Sequence, residues 1–481
     1  MFSLADSSLR RQLSLFDVTS MVVGSIIGAD IYIAAALGSK LVGPSSLVVW
    51  LSAGLIAMII ALAFSYSATL YPRVGGPYAY TKEAFGEFPG FLVGWSLLLA
   101  EWLSLAVFPV AFTRYFSNFF VGLPNIAILG LKAVFILIIL STNIFSIKAA
   151  GRFNDYLTIA KLTPLMLLIF GGFFTVFLNL NGALNNLQPF FKGDIASAGQ
   201  ALVLIFWAYA GFELSTLPAD EVQDPSKTIP RAIVVGMLIV ITFYMLTNFV
   251  ILSVVPETVL ESSQAPLVDA GMRIFNYSAI ASIVGGLVIG VGAVISIMGA
   301  DESGTIGTSR LAYAMSLDGL LPKVFSVIHP KFKTPYLGLI ILCGTAFIAS
   351  ATSTITDLIN ASVFLLAFAY CATCFSLIKL EPRYSSISNK LRGRIIIPIS
   401  GATLSILLIS QVSLQQILNS IVLLIVGIPL YIYFTPKKEL EEVETYLSRN
   451  AVLNRAYEQN ERFLAHFILH IKEWIARLQR E

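Results

Sequence analysis

A chain of 481 residues with 57% hydrophobic and only 12% charged residues, and a mean hydropathy of +0.81, is too apolar for a soluble globular protein. Such proteins carry about 25% charged residues. The formal net charge of +3 calls for no nucleic-acid partner, because membrane topology accounts for the basic residues. Cys343, Cys371 and Cys374 all fall in apolar runs, which argues against a disulfide framework.

The charges are segregated, leaving runs of roughly 20 apolar residues that can each cross a ~30 Å hydrocarbon layer as helix. Twelve spans are predicted, at 15–37, 45–70, 88–117, 126–146, 153–178, 197–217, 232–255, 278–316, 335–351, 356–379, 395–411 and 414–435. The first lacks a small-residue cleavage site and is expected to stay in the mature chain. With the N-terminus inside, sixteen Lys and Arg of the connections, from Arg10 to Arg394, fall on the cytoplasmic side, and Lys40, Arg114, Lys192 and Arg273 fall outside. That asymmetry predicts both termini cytoplasmic, in a plasma or inner membrane. After Pro436 the composition changes. Residues 436–481 read as an amphipathic cytoplasmic tail with apolar residues at helical spacing. His466 and His470 in the tail make no closed zinc site. The Cys371/Cys374 pair reads as two small buried thiols on one helix face.

Two spans are interrupted near their middle. In the first, Gly24-Ser25-Ile26-Ile27-Gly28-Ala29-Asp30 puts two glycines and a carboxylate at mid-span; in the sixth, Trp207-Ala208-Tyr209-Ala210-Gly211-Phe212-Glu213 does something similar with one glycine and a carboxylate. Breaks five helices apart are what an inverted repeat of five plus five helices predicts, with unwound backbone tolerated because it lines a cavity. The expected units are an N-terminus 1–14, a first repeat 15–178, a second 197–379, and two further helices in 395–435. Freed N–H groups at a half-helix N-terminus suit a carboxylate, and freed carbonyls suit an ammonium or small cation.

Four segments carry a resemblance to the amino acid/polyamine/organocation transporters. GSIIGADIY in the first span resembles the family's GxIIGxGIF, and Arg73 to Tyr80 followed by Glu83-Ala84-Phe85-Gly86 is similar to its SGGxYxY…eaFG signature. Phe206 to Glu213 with Glu221 to Ala232, and Ser309-Arg310-Leu311 with Asp318 to Pro322, resemble two further signatures in the right order. The resemblance implies an all-α membrane protein with the LeuT-like inverted repeat, alternating access, and a substrate held between spans one, three, six, eight and ten. By match to the family pattern, the amides of Ile27, Gly28 and Ala29 would hold an α-carboxylate. Carbonyls near Val23, Gly24 and from Trp207 through Ala208 to Tyr209 would hold the amine, Trp207 would lie over the ligand, and the sixth-span break would run on through Ala210 and Gly211.

Ionisable residues at membrane depth cost about 2.5–3.5 kcal/mol each at a helix centre and usually face a cavity or a partner. Here they are Asp30, Glu101, Lys161, Glu213, Asp301 and Glu302. Lys161 matches the lysine that, in proton-coupled or sodium-independent relatives, stands where sodium-coupled ones bind the ion. Glu213 matches the acid after the sixth-span break, in a coupling or a structural role. Glu101 and Glu302 are further coupling candidates. Asp30 departs from the family's glycine and would repel a substrate carboxylate unless protonated, turned away or paired with a cation such as Lys161. Asp301 and Glu302 are about 100° apart on a helix, and Asp301, in line with Thr305, is favoured for the lumen. An acidic pocket tilts the expected substrate toward a cationic amino acid or amine. A neutral amino acid permease and a transporter-like nutrient receptor are the alternatives. Proton coupling or exchange is expected, with no cofactor, no metal and no enzymatic role: no GxxxxGK[ST] loop or HExxH occurs in a span. The oligomeric state is not legible.

Overall fold

The computed structural model describes residues 13–72, 75–117, 119–120, 122–145, 147–216, 222–384 and 393–434, with the side chains of 29 and 147–160 left aside. The predicted tail with His466 and His470, the basic Arg10, Arg11, Arg73, Lys390 and Arg392, and Glu221 lie outside the described residues. All of the rest is helix and connecting turns, apart from one parallel bridge between Leu13 and Val222.

The first predicted span is two helices, α1 (Leu15–Ile26) and α2 (Ala29–Val42). A capping box starts α1: Ser14 Oγ accepts from the Asp17 amide, and the Asp17 carboxylate accepts from the Ser14 amide at 2.7 Å. There follow α3 (Ser46–Leu70), the short α4 (Pro77–Phe85), α5 (Glu87–Ser117), α6 (Asn125–Phe145), α7 (Ile147–Leu178) and the short α8 (Leu180–Asn186). The sixth predicted span begins as α9 (Ile195–Trp207), capped by Asp194, loses helical form, and resumes as a 3₁₀ turn at Phe212–Thr216. Then come α10 (Pro225–Val254), the short α11 (Glu257–Ser262) and α12 (Pro266–Ile274), and α13 (Ala279–Leu317). The last four are α14 (Tyr336–Thr352), α15 (Ile355–Leu380), α16 (Ile396–Gln411) and α17 (Leu414–Phe434).

Among the described residues nine segments are long and apolar enough to cross a membrane, and α1, α14 and α16 are shorter apolar helices. The chain is an all-helical, multi-span membrane protein. Its helices differ sharply in how much surface they leave to lipid. The most apolar stretch of α5 is 78% buried within the protein and that of α17 only 17%, so α5 is central and α17 peripheral. Around α5 pack α13, α14 and α15; α1 lies on α10, and α2 on α9. This arrangement places the two interrupted segments side by side, against α5, α7, α10 and α13.

Both ends of the bundle are tied by polar contacts. At one end the Tyr78 hydroxyl of α4 donates to Asp318 at 2.5 Å, and Lys82 pairs with Glu87 at 2.7 Å and Asp318 at 3.5 Å. At the opposite end Lys192 pairs with Glu257 at 2.8 Å and Glu261 at 2.5 Å.

Candidate functional site

Helix α1 stops because the backbone turns extended at Ile27 and Gly28 takes φ −146°, ψ −139°. A side chain at 28 is barred by packing: a Cβ there would stand 2.2 Å from the Ala300 Cβ of α13. Unwinding frees carbonyls that a membrane interior cannot hydrate, so each needs a partner from the protein. Three side chains supply them. The buried Lys161 ammonium of α7 donates to the Gly24 carbonyl, Tyr244 Oη of α10 donates to Ile26 O at 2.9 Å, and Ser296 Oγ of α13 reaches Ile27 O at 3.5 Å. The Val23 carbonyl accepts from the Ile27 amide at 2.9 Å.

The break in α9 meets the break in α1. Gly211 has φ +116°, a region open to glycine, and a Cβ on it would lie 3.2 Å from the Ser25 backbone. Ser25 Oγ donates to Gly211 O at 3.0 Å, stitching the two breaks together. Glu213 turns back so that both carboxyl oxygens lie 3.1 Å from the Gly211 amide. Carbonyls of Phe206 and Trp207 accept from the amides of Tyr209 and Ala210, which leaves Ala208 inside a tight turn. Tyr209 itself points outward from the break, its hydroxyl donating to Trp50 O at 3.0 Å and its ring packed on Trp50 and Tyr244.

Helix α2 begins at the break with no side chain capping it, so its first amides and the positive end of its dipole face the gap. Its own Asp30 turns toward that gap: a carboxyl oxygen lies 3.0 Å from where a Cβ of Gly28 would be. Asp30 is buried, and it interacts electrostatically with Lys161, Glu101 and Tyr244 rather than forming a direct ion pair with Lys161. Glu101 of α5 and Glu213 face one another, with Tyr370 of α15 against them. One wall therefore carries three carboxyl groups and one ammonium.

Trp207 ends α9 above this wall. Its Nε1 donates to Ser104 Oγ at 3.0 Å; Ser104 bonds Ser362 of α15 at 3.0 Å, and the indole lies 6.3 Å from the Phe108 ring. Glu101, Ser104 and Phe108 share one face of α5 at helical spacing. Ser25, Ser104, Phe108, Tyr244, Ser296 and Ser362 join the candidate site and were not singled out from the sequence. Ser104 and Phe108 could have been found as the helical neighbours of Glu101.

The structure does not bring Asp301, Thr305 or Glu302 to the breaks. Ser296 and Ala300 are the residues that α13 presents to α1, and one residue on, Asp301 turns toward Cys343 of α14. It is buried there with neither carboxyl oxygen hydrogen-bonded. Thr305, one turn further along, is buried with it, and Glu302 is half-buried. The three cysteines are free, and among the described residues no cluster of His, Cys, Asp and Glu has the form of a metal site.

Two interrupted helical segments thus meet at their breaks, with titratable groups against unwound backbone. A family model of amino acid permeases matches residues 13–434. The chain belongs to the amino acid permease family, within the amino acid/polyamine/organocation superfamily. It is an amino acid transporter of that family, not an enzyme. Among its relatives, the b(0,+)-type amino acid transporter 1 of Mus musculus is 30% identical over 84% of this chain and 83% of its own length. The branched-chain amino acid permease BcaP of Bacillus subtilis (strain 168) is 28% identical over 69% of this chain and 72% of its own. The methylthioribose transporter of the same organism is 28% identical over 90% and 95%. Relatives this similar to the permease, named for different solutes, leave the choice of solute to the site's own chemistry.

Proposed function

We propose that this permease is a twelve-span carrier of the LeuT-like type, with both termini cytoplasmic in a plasma or inner membrane. The first and sixth spans would be its discontinuous helices, and it would move a cationic amino acid or related amine by alternating access. What supports the substrate class is one observation: the N-terminal end of α2, where a substrate carboxylate would otherwise dock, holds the protein's own Asp30 carboxyl. With Glu101 and Glu213 nearby, the wall offers carboxyl oxygens as acceptors to an ammonium, whose charge would favour their ionised form, and has no cation free to receive an extra carboxylate. Lys161 on the Gly24 carbonyl fills the place of a bound cation with a residue that can release a proton. Together with the facing Glu101 and Glu213, this supports proton movement, in symport or exchange, over sodium coupling. A neutral amino acid is the second reading. The observation favouring it is the electrostatic link between Lys161 and Asp30, which offsets the charge of Asp30 internally.

The test is thermal stabilisation of purified protein across arginine, lysine, polyamines and neutral amino acids, in the parent and in Asp30→Asn, since a ligand that binds only the folded state raises its melting temperature. A charge-assisted contact contributes about 1.5–3 kcal/mol, so Asp30→Asn is expected to weaken cationic ligands roughly ten- to hundredfold. Stabilisation of the parent by neutral amino acids alone, or unchanged cation binding by the variant, would overturn the cationic reading.

A further inference from the structure

Away from the helix breaks a cavity of about 330 Å³, with charged and polar side chains among its lining, opens between the end of α5, the start of α6 and the turn before α12. Thr113, Arg114 and Ser117 line it from α5, Ile128 and Lys132 from α6, and Gln264 from the turn. The two cations are close enough to interact electrostatically, and among the described residues neither forms an ion pair with a carboxylate. Lys132 spends one of its three donors on the Ser350 carbonyl of α14 at 2.5 Å. The Arg114 guanidinium is half-buried in the wall and, among the described residues, has no carboxylate partner. The nearby acid of α12, Asp269, is engaged by the Ser263 hydroxyl. Lys192, by contrast, sits at the same end of the bundle between two carboxylates. Two like charges pushed together inside a bundle, each with donors to spare, are stable when an anion sits between them.

Depth says which kind of anion fits. Helix α5 has 31 residues, roughly 46 Å, which matches the ~40–45 Å of a bilayer including its headgroups. Arg114 lies three residues from its end, about 4.5 Å inward, at headgroup level. Beside the cavity α6 turns Ile126 and Leu129 outward, with Ile126 76% exposed, a surface suited to acyl chains. We propose that Arg114 and Lys132 form a binding site for a phosphate-class oxyanion, carried by the headgroup of an anionic phospholipid or as free phosphate. Arg114 supplies the planar two-toothed grip and Lys132 the point charge; Thr113, Ser117 and Gln264 complete the polar lining. The proposal rests on the membrane reading of the chain and not on the substrate class, so it stands or falls separately from the Asp30 test.

The experiment compares full-length protein in a neutral detergent, as parent, Arg114→Gln and Lys132→Gln, titrated with phosphatidylglycerol, phosphatidylcholine or inorganic phosphate and read by melting temperature and native mass spectrometry. Arg114→Gln is the cleaner variant, because Lys132 also holds α14. The expected result is a phosphatidylglycerol adduct and melting shift in the parent, and affinity reduced roughly ten- to hundredfold in both variants. A shift produced by inorganic phosphate alone, and lost in both variants, supports the same site with a soluble occupant. Equal responses in parent and variants, or a parent that prefers neither phosphatidylglycerol nor phosphate over phosphatidylcholine, would overturn the proposal.

Discussion

Gly28 is the position where packing and mechanism meet, and replacing it with alanine tests whether the closed junction between α1, α2 and α13 is the transporting state. The added methyl would stand 2.2 Å from the Ala300 Cβ, whereas two carbons rest at about 3.5–4.0 Å. Both are attached directly to backbone, so neither can rotate away, and α2 and α13 must separate by roughly 1.3 Å or more. Overpacking of this kind costs about 1–3 kcal/mol, which lowers the closed population about 5- to 150-fold relative to an opened one. The second substitution, Ala300→Gly, removes the obstructing atom at a cost of about 1 kcal/mol of helix propensity. In the double variant the new methyl meets next an Asp30 oxygen at 3.0 Å, on a side chain that can shift, and the Phe108 ring at 3.6 Å. Thermal unfolding and uptake into proteoliposomes, measured for the parent, both single variants and the pair, form a double-mutant cycle. The expected outcome is a strong loss in Gly28→Ala and partial recovery in the pair, a favourable coupling of about 1–2 kcal/mol. A pair no better than the sum of its parts would refute the contact. A stable Gly28→Ala with unimpaired uptake would refute the closed junction altogether.

Lys161→Met keeps much of the side-chain length and removes the charge, leaving the Gly24 carbonyl without its donor, so stability should fall by about 1–3 kcal/mol. If Lys161 carries coupling, uptake in the variant should also lose its response to an imposed pH gradient, and a response equal to the parent's would assign the lysine to structure alone. At the Lys82 tie, burial works against the charge on Lys82, but Glu87 and Asp318 outweigh it and hold the ammonium above the ordinary lysine range. The sign follows: this contribution is complete below the unfolded lysine value of about 10.4 and is lost as pH rises through the higher folded value. Melting curves of the parent should therefore decline more steeply than those of Lys82→Met at strongly alkaline pH, and identical slopes would remove the tie from the stability of the closed end. The effect is small, because Lys82 is about a third exposed.

The helices were legible because hydrocarbon thickness sets a length that the charges then punctuate: each of the twelve predicted segments contains helix, and nine segments among the described residues are long and apolar enough to cross a membrane. The breaks were legible for a related reason: two glycines followed by a carboxylate are costly at mid-membrane unless something compensates them. The hydroxyl groups that do the compensating could not be read the same way. Ser303 and Thr308 each bond a carbonyl one turn back in their own helix, while Ser296 of the same helix reaches across to Ile27. In the chain these are interchangeable polar residues in an apolar run. Their partners depend on how α13 is rotated about its axis.

That rotation also decided against Asp301. The stripe of Asp301, Thr305 and Thr308 is a real helical face, but the face a helix turns to its neighbour in a membrane is set by how near the backbones can come, and small residues win that contest. Ala300 sits against Gly28 because nothing larger fits there, and the next residue is then carried about 100° round the helix, onto α14. Ser296 and Ala300, not the carboxylate beside them, mark the face that α13 turns to α1. Asp30 is the complementary case. Its departure from the family's glycine drew notice as a charge, while its position at the start of α2 decides what it does: a carboxyl in the first turn of a broken helix has the helix's own amides within reach. On the cationic reading proposed above, a substrate entering there would meet an end already occupied by a carboxyl group, so that the ligand's ammonium, rather than its carboxylate, would be the group held.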